Sequence, residues 1–231
     1  MAVNAGSARV VLGRRKALIL VSGGAFVPMI EPPIAAAAGL PDHLLFDVIR
    51  SGTKVGEHRL EFTPLPGGRR RVHSRIEIAV KVAFITVYRY RQTAEDEWRG
   101  GVLVRTRIRT EDQGQTSFVE AAEDDGRLRV SGPTGAYEAA LGSMTDLNFW
   151  NRAITRQARL IDSQNGELLA VEVTPDRAEP ITVQGRTVEA HRFAMSSTRG
   201  RSGSVWYDGA GQLVQAVVHT RGQRLDYRLA A

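Results

Sequence analysis

The chain has 231 residues, a formal net charge of +6 and no cysteine. The lack of cysteine excludes disulfide bonds, thiolate metal sites, a cysteine nucleophile and a lipid-modified N-terminal cysteine. Residues 39–231 contain 27 basic and 24 acidic residues, a net charge of only about +3. A charge this small does not predict nucleic-acid binding.

The N-terminus carries the three parts of an export signal. Arg14 and Arg15 precede an uncharged stretch, residues 17–30, and the small residues Ala36 and Ala38 follow in an A-x-A-like cleavage site. A basic region, a short apolar region and such a site are what a secretory pathway recognises. The paired arginines favour the twin-arginine route, and the general secretory route is the alternative.

This signal predicts a two-part chain. We expect residues 1–38 to meet the export machinery transiently and to be removed near Ala38, which leaves residues 39–231 as a single periplasmic or secreted domain. An uncleaved membrane anchor is disfavoured because Pro28 and Glu31 interrupt the apolar run, whereas a spanning helix needs about 20 apolar residues. The mature protein is therefore expected not to span a membrane.

The first half of the domain alternates apolar and polar residues with a period of two, which predicts antiparallel strands. The first two are Leu44–Arg50 and Val55–Phe62, joined by a turn at Gly52. One long strand is predicted over residues 76–90, whose even positions are apolar or aromatic apart from one threonine. Apolar residues at the odd positions 83–87 indicate that its middle is covered on both faces or bent.

A basic stripe follows on the next predicted strand. The outward-facing arginines are Arg105, Arg107 and Arg109, which Arg89 and Arg91 extend if the two strands pair. The pattern is typical of a solvated face balanced by nearby acidic residues. The alternative is a surface that docks on anionic lipid headgroups or polysaccharide.

The middle of the chain interrupts the strand pattern. A hairpin is predicted from residues 117 to 131, and the spacing of Leu147, Trp150 and Ile154 then favours a short helix near Thr145 to Thr155, with Thr145 at its N-cap. Strands resume afterwards. They are predicted at 157–162, 167–174, 181–184, 187–196, 203–207, 212–219 and 223–229. About a dozen strands and one short helix predict an all-β fold, a curved antiparallel sheet.

Four motifs stand out along the chain: Phe46, Val48, Gly52 and Gly56; Val87 to Tyr90; Phe149, Trp150 and Asn151; and Val205 to Asp208 with Gly211, Leu213 and Val214. Together they resemble the motifs of a group of exported bacterial proteins, domain-of-unknown-function family 6134. The last motif also resembles a hairpin in bacterial envelope proteins whose sheet curls into a half-open β-barrel. In the lipoprotein-carrier members a short helix closes the concave side over an apolar cavity. The resemblance thus implies architecture and attaches no activity.

No catalytic signature emerges from the residues. The histidines, which lack metal-site spacing and are interpreted as sheet-surface residues, are His43, His58, His73, His191 and His219. No G-x-S-x-G motif occurs, and the acidic run 95–97 is assigned to an exposed turn. We therefore predict no catalytic residue, no metal and no cofactor.

The candidate binding residues are Phe149, Trp150 and Asn151 on the predicted helix, with Tyr88 and Tyr90 on the sheet beneath it. Tryptophan beside asparagine offers an apolar surface and an amide for a ligand. A tryptophan that simply fills the core is the alternative. The leading hypothesis is a non-enzymatic carrier or sensor for a lipid or other apolar or amphiphilic envelope molecule. A protein that docks through its basic sheet face and a hydrolase acting on envelope material are the other two hypotheses.

Overall fold

The computed structural model describes residues 41–230, which form a single sheet of 15 strands. The predicted export signal, with Arg14, Arg15, Ala36 and Ala38, lies outside the described residues. The strands are β1 His43–Arg50, β2 Thr53–Leu65, β3 Arg69–Val82, β4 Ile85–Arg99, β5 Val102–Asp112, β6 Gln115–Asp124, β7 Arg127–Gly132, β8 Gly135–Ala140, β9 Met144–Thr145, β10 Arg159–Ile161, β11 Leu168–Val183, β12 Arg186–Ser197, β13 Ser202–Asp208, β14 Leu213–Thr220 and β15 Gln223–Leu229.

The sheet order follows the sequence in two runs. It reads β8 to β1 and then β15 to β9, so the first and last strands pair at the centre and β8 and β9 are the two edges. All pairs are antiparallel except β9 with β10. The sheet curves without closing into a barrel, as the half-open prediction requires. At one end the β10–β11 loop approaches the β7–β8 turn, where the Thr134 amide donates to the Asn165 carbonyl (3.2 Å).

Two glycines of the first motif lie at positions where the backbone requires glycine. Gly52 has φ +81° in the β1–β2 turn, a conformation that residues with a side chain resist. Gly56 pairs with both Val48 and Ile78, next to a bulge at Val55 in β2. A Cβ atom at Gly56 would lie 2.0 Å from the Glu77 carbonyl oxygen, so the close approach of β3 requires glycine there.

Replacing Gly56 by alanine is expected to lower the free energy of unfolding by about 2–3 kcal/mol, because backbone would have to move to admit the methyl group. Urea denaturation measures the loss. Gly209→Ala is the matched control: nothing lies within 4 Å of a Cβ atom there, and its stability should match the wild type. Equal stabilities for the two variants would contradict the close approach.

The predicted single strand over residues 76–90 is a hairpin instead. β3 ends at Val82 and β4 begins at Ile85, with the turn at Ala83 and Phe84. The apolar side chains of the turn are exposed to solvent. Alternation continued through the turn because two apolar strands flank an apolar turn that lacks glycine and proline, so no residue marked the break.

The helix prediction is confirmed in position and corrected in type. Two 3-10 helices, Asp146–Trp150 and Arg152–Arg156, replace one helix, and Thr145 takes the N-cap position of the first. Asn151 divides them: its extended backbone ends the first helix, and its side chain accepts from the Ala153 amide to begin the second. Within residues 41–230, no helix has the length and apolar character that crossing a membrane requires.

Three further strands differ from the predictions. β8 and the two-residue β9 were not predicted, and residues 167–174 and 181–184 belong to one long strand, β11. This strand contains Pro175 and Pro180, which normally exclude a central strand. β10 pairs only with the first residues of β11, so the rest of β11 is an edge strand. Proline has no N–H group, but at an edge no hydrogen bond between strands is lost through that absence.

The concave face of the sheet holds the main core. Inward side chains from nearly every strand pack against the 3-10 helices, and Phe46, Leu60, Ile154 and Tyr207 are among the largest buried ones. A smaller cluster around Trp206 and Val214 lies on the opposite face of β13 and β14. The concave side, where the helices lie, therefore positions any internal site.

Candidate functional site

One end of the concavity is filled by aromatic side chains. Trp150 meets Phe62 edge to face with ring centroids 5.0 Å apart, and meets Trp98 in the same way at 5.3 Å. All three are buried. Such pairs stabilise the fold beyond the area that they bury. Trp150 therefore fills the core, which was the alternative interpretation of this residue.

A buried polar network anchors the first 3-10 helix to the sheet. Asp96 on β4 is 2% exposed; its carboxylate accepts from the Asn148 amide nitrogen (2.7 Å) and from the Thr106 hydroxyl (2.6 Å). The Asn148 oxygen in turn accepts from the Thr145 amide (2.8 Å). Assigning residues 95–97 to an exposed turn was wrong: they lie within β4, and the alternation of that strand turns Asp96 inward.

Burial moves the pKa values of two groups on this face in opposite directions. Desolvation raises the pKa of Asp96 to about 6, although the bonds from Thr106 and Asn148 oppose the shift. Desolvation also lowers the pKa of His58 to about 3, because its ring packs among Phe46, Phe149 and Tyr227. His58 is thus a neutral core residue, and its interpretation as a sheet-surface histidine was wrong.

The Asp96 shift predicts a pH dependence that Asp96→Asn should remove. In the folded protein Asp96 keeps its proton up to a pKa of about 6, whereas the unfolded chain releases it near 4, so the contribution of Asp96 to stability is lost as pH rises through this window. The loss is about 3 kcal/mol. Relative to wild type, Asp96→Asn should gain about 2 kcal/mol of this in unfolding free energy between pH 4 and pH 7, because the unfolded Asp96 is already partly ionised at pH 4.

Denaturation with urea at the two pH values measures this difference, and contributions from groups unaffected by the substitution cancel. Asp125→Asn, in the exposed β6–β7 turn, is the matched control and should follow the wild type at both values. An equal pH dependence in Asp96→Asn and the wild type would show that Asp96 is not held in the apolar core.

The other end of the concavity is open and contains a cavity of about 500 Å³. Its walls are mainly apolar, from the inward faces of β3, β4, β11, β13, β14 and β15 and from the first 3-10 helix. Representative lining residues are Ile78, Phe149, Val171, Val218, Leu225 and Tyr227. The volume falls in the usual range for small-molecule sites, and an apolar wall with a few polar groups is their usual composition.

A cluster of charged and polar side chains forms one side of the cavity. Arg201 donates to Asp146 (2.9 Å), to Asp162 (3.1 Å) and to Gln164 (3.1 Å). Burial and the neighbouring charge of Asp162 raise the pKa of Asp146, and Arg201 opposes that shift. Gln164 also donates to the Tyr90 hydroxyl (3.3 Å), so the cluster joins the β10–β11 loop to β4. These groups can orient the polar end of a ligand.

The structure divides the predicted site residues into two groups. Phe149, Tyr88 and Tyr90 line the cavity, whereas Trp150 and Asn151 do not. Asn151 caps the second 3-10 helix and pairs with Gln212. Sequence reasoning missed Arg201, Asp146 and Gln164 as cavity residues, since they come from the β12–β13 turn, the first 3-10 helix and the β10–β11 loop, which are far apart in the sequence. Of the three, only Arg201 stood out in the sequence, because it lies in a turn between Gly200 and Gly203.

The arginine stripe on β5 is balanced by acidic residues on both sides. Arg107 lies between Glu95 and Glu120 in the ladder, and Arg105 lies opposite Glu97. Arg109 forms an ion pair with Glu111 at 2.6 Å. The mixed charge favours an ordinary solvated face. Within residues 41–230, no three His, Asp or Glu side chains converge as metal ligands do.

The fold places the chain among half-open, barrel-like antiparallel β proteins, with an apolar cavity on the concave side of the sheet. The sequence matches the family described as domain of unknown function DUF6134 over residues 46–230, and the chain belongs to that family. The resemblance seen in the motifs is thereby confirmed. No curated protein matches the sequence.

A solved structure shares this fold. It is the crystal structure of a β-barrel-like protein of domain of unknown function DUF1849 from Brucella abortus, with a TM-score of 0.59 and 11% sequence identity. The similarity covers 81% of this chain and 94% of that chain. At this identity the similarity shows the fold alone.

Proposed function

We propose that this protein binds an apolar or amphiphilic small molecule, such as a lipid of the cell envelope, without transforming it. The observation that carries the proposal is the cavity of about 500 Å³ between the sheet and the first 3-10 helix. An apolar body fits against Ile78, Val218 and Leu225, and burial of that surface supplies the binding free energy. A polar head fits beside Arg201, Asp146 and Gln164, whose side chains can exchange hydrogen bonds with it.

The arrangement of polar groups favours binding over catalysis. A hydrolytic site needs a nucleophile with a base in reach, or two carboxylates across a cleft. Around the cavity, Asp146 and Asp162 are held by Arg201 on the same side, and Ser163 lies against Gln92 (3.1 Å) rather than against a histidine. These contacts support a carrier or sensor.

Filling the cavity should abolish binding. Val218 is half-buried and faces the cavity, so Val218→Trp places an indole where the ligand lies. We expect saturable binding of the apolar fluorescent probe N-phenyl-1-naphthylamine to the wild type and at least about tenfold weaker binding to the variant. Native mass spectrometry of gently purified protein should show a lipid-mass adduct on the wild type that Val218→Trp lacks.

Val188→Trp is the matched control. Val188 is half-buried, lies near the end of β12 farther from the cavity and does not line it. The Val188→Trp variant should bind the probe as the wild type does. Equal probe affinity in Val218→Trp and the wild type would place the binding elsewhere. No probe binding by the wild type, together with a clean apo mass in every preparation, would overturn the proposed function.

We propose further that binding takes place outside the cytoplasm, since Arg14 and Arg15 begin a segment with the parts of an export signal. Changing both arginines to lysine should block export if the twin-arginine route is used. Cell fractionation with immunoblotting measures the outcome. Normal export of the variant would favour the general secretory route, and retention of the wild-type protein in the cytoplasm would overturn the location.

A further inference from the structure

The hairpin between β3 and β4 projects beyond the rest of the sheet. β2 pairs with β3 only as far as Ile78, and β5 pairs with β4 only from Tyr90 onward. Gln113 of the β5–β6 turn hydrogen-bonds to the backbone of Val87 and Arg89 at the base of the projection. No neighbouring strand pairs with residues 81–86, so this two-stranded ribbon extends about 10 Å past its neighbours.

The tip of this hairpin is the main exposed apolar surface among residues 41–230. Five large apolar side chains are exposed among the described residues, and four of them belong to the tip. They are Val82, Phe84, Ile85 and Val87. Phe84 is fully exposed and Ile85 is 70% exposed. A cluster of apolar side chains on a protruding turn is unfavourable in water, which marks it as an interaction site.

The charged residues of the hairpin itself have one sign, and Asp112 at its base is paired with Arg221 at 2.6 Å. Residues 78–94 contain no aspartate or glutamate. Lys81 and Arg89 lie on the ribbon itself, and neither joins an ion pair with any of the described residues. Arg50, at the end of β1, also points to the same end of the sheet and lines the cavity. Unbalanced cations beside apolar side chains are complementary to an anionic lipid surface.

We propose that the β3–β4 tip docks the protein on anionic lipid bilayers, with Phe84 and Ile85 inserted at the headgroup level and Lys81 and Arg89 against the phosphates. The insertion is shallow. Both outer edges of the ribbon carry backbone N–H and C=O groups without a partner strand, and these groups cannot enter the hydrocarbon region.

Docking in this way would place the cavity beside the bilayer. Val80, Val87 and Tyr88, on the same hairpin, line the cavity. An amphiphile leaving the membrane at the tip would meet an apolar wall at once. The docking surface itself is inferred from the hairpin alone and does not depend on an occupant of the cavity, so the two proposals can fail separately.

Vesicle binding tests the proposal on the mature chain. The wild type should cosediment with vesicles of equal parts phosphatidylglycerol and phosphatidylcholine, and should not cosediment with pure phosphatidylcholine. The double variant Phe84→Ser, Ile85→Ser should bind the anionic vesicles at least about tenfold more weakly, because two inserted side chains are lost. Phe118→Ser is the matched control: Phe118 is 58% exposed on β6, away from the tip, and its variant should bind as the wild type.

A second pair of variants separates charge from insertion. Lys81→Gln and Arg89→Gln should each weaken vesicle binding about fivefold at low salt, and added salt should reduce the difference from the wild type.

Insertion of the tip is tested with a fluorescent side chain. Phe84→Trp places an indole at the tip, where its fluorescence should shift to the blue on vesicle addition and be quenched by brominated lipids. Phe118→Trp should show neither change.

The proposal is overturned if the wild type fails to bind the anionic vesicles, or if it binds them as well after both serine substitutions. It is also overturned if sedimentation shows a wild-type dimer that the serine substitutions disperse, since the tip would then pair two copies of the chain. Val218→Trp should bind vesicles normally whatever happens to its cavity, which keeps this result independent of the proposed function.

Discussion

The hydrogen bonds between Asn148 and Asp96 and between Thr106 and Asp96 are what the inside of this sheet depends on. A carboxylate 2% exposed in an apolar concavity is costly without partners, and those partners come from a neighbouring strand and from the first 3-10 helix. Satisfying Asp96 therefore fixes the position of the helical segment. Once Asn148 is in place, Phe149 and Trp150, the next two residues, are carried into the concavity.

The length of that segment explains why a cavity remains. Each 3-10 helix has five residues and spans about 10 Å, whereas the longest strand, β11, has 16 residues and runs over about 50 Å. The helices can cover only part of the concave face. Trp150, Trp98 and Phe62 fill one end with close aromatic contacts. The other end is left with apolar walls and no segment of the described chain to fill it, which gives the site its volume.

The features that support binding meet at the open end of the sheet. The turn that carries Arg201, the β10–β11 loop with Gln164 and the β3–β4 tip all lie there, because antiparallel strands return their turns to the same two ends. A polar cluster on one side of an apolar cavity suits an amphiphile. A protruding tip with Phe84 and unbalanced cations suits the surface from which an amphiphile would come. The proposed ligand and the proposed surface thus require the same chemistry.

Period-two alternation determined most of the strands from the sequence alone, because inward and outward side chains differ in polarity wherever one face is buried. The helical interruption after Thr145 was also readable, since its apolar spacing breaks that period. Alternation could not separate a turn from a strand where both are apolar, as at Ala83 and Phe84. Alternation also could not reveal a polar residue on the inner face. Asp96 is such a residue, and the free-energy cost of burying it is offset only by hydrogen bonds from other parts of the chain.

The sequence by itself determined an all-β sheet with a helical interruption and membership of the family DUF6134. It also predicts an export signal at Arg14 and Arg15. Tertiary structure alone decided which aromatic residues pack in the core and which face the cavity. Trp150 and Phe149 are neighbours with the same chemistry, yet the first meets Trp98 and the second lines the open end. The difference arises from where the sheet brings its distant strands, and local pattern carries no information about that distance.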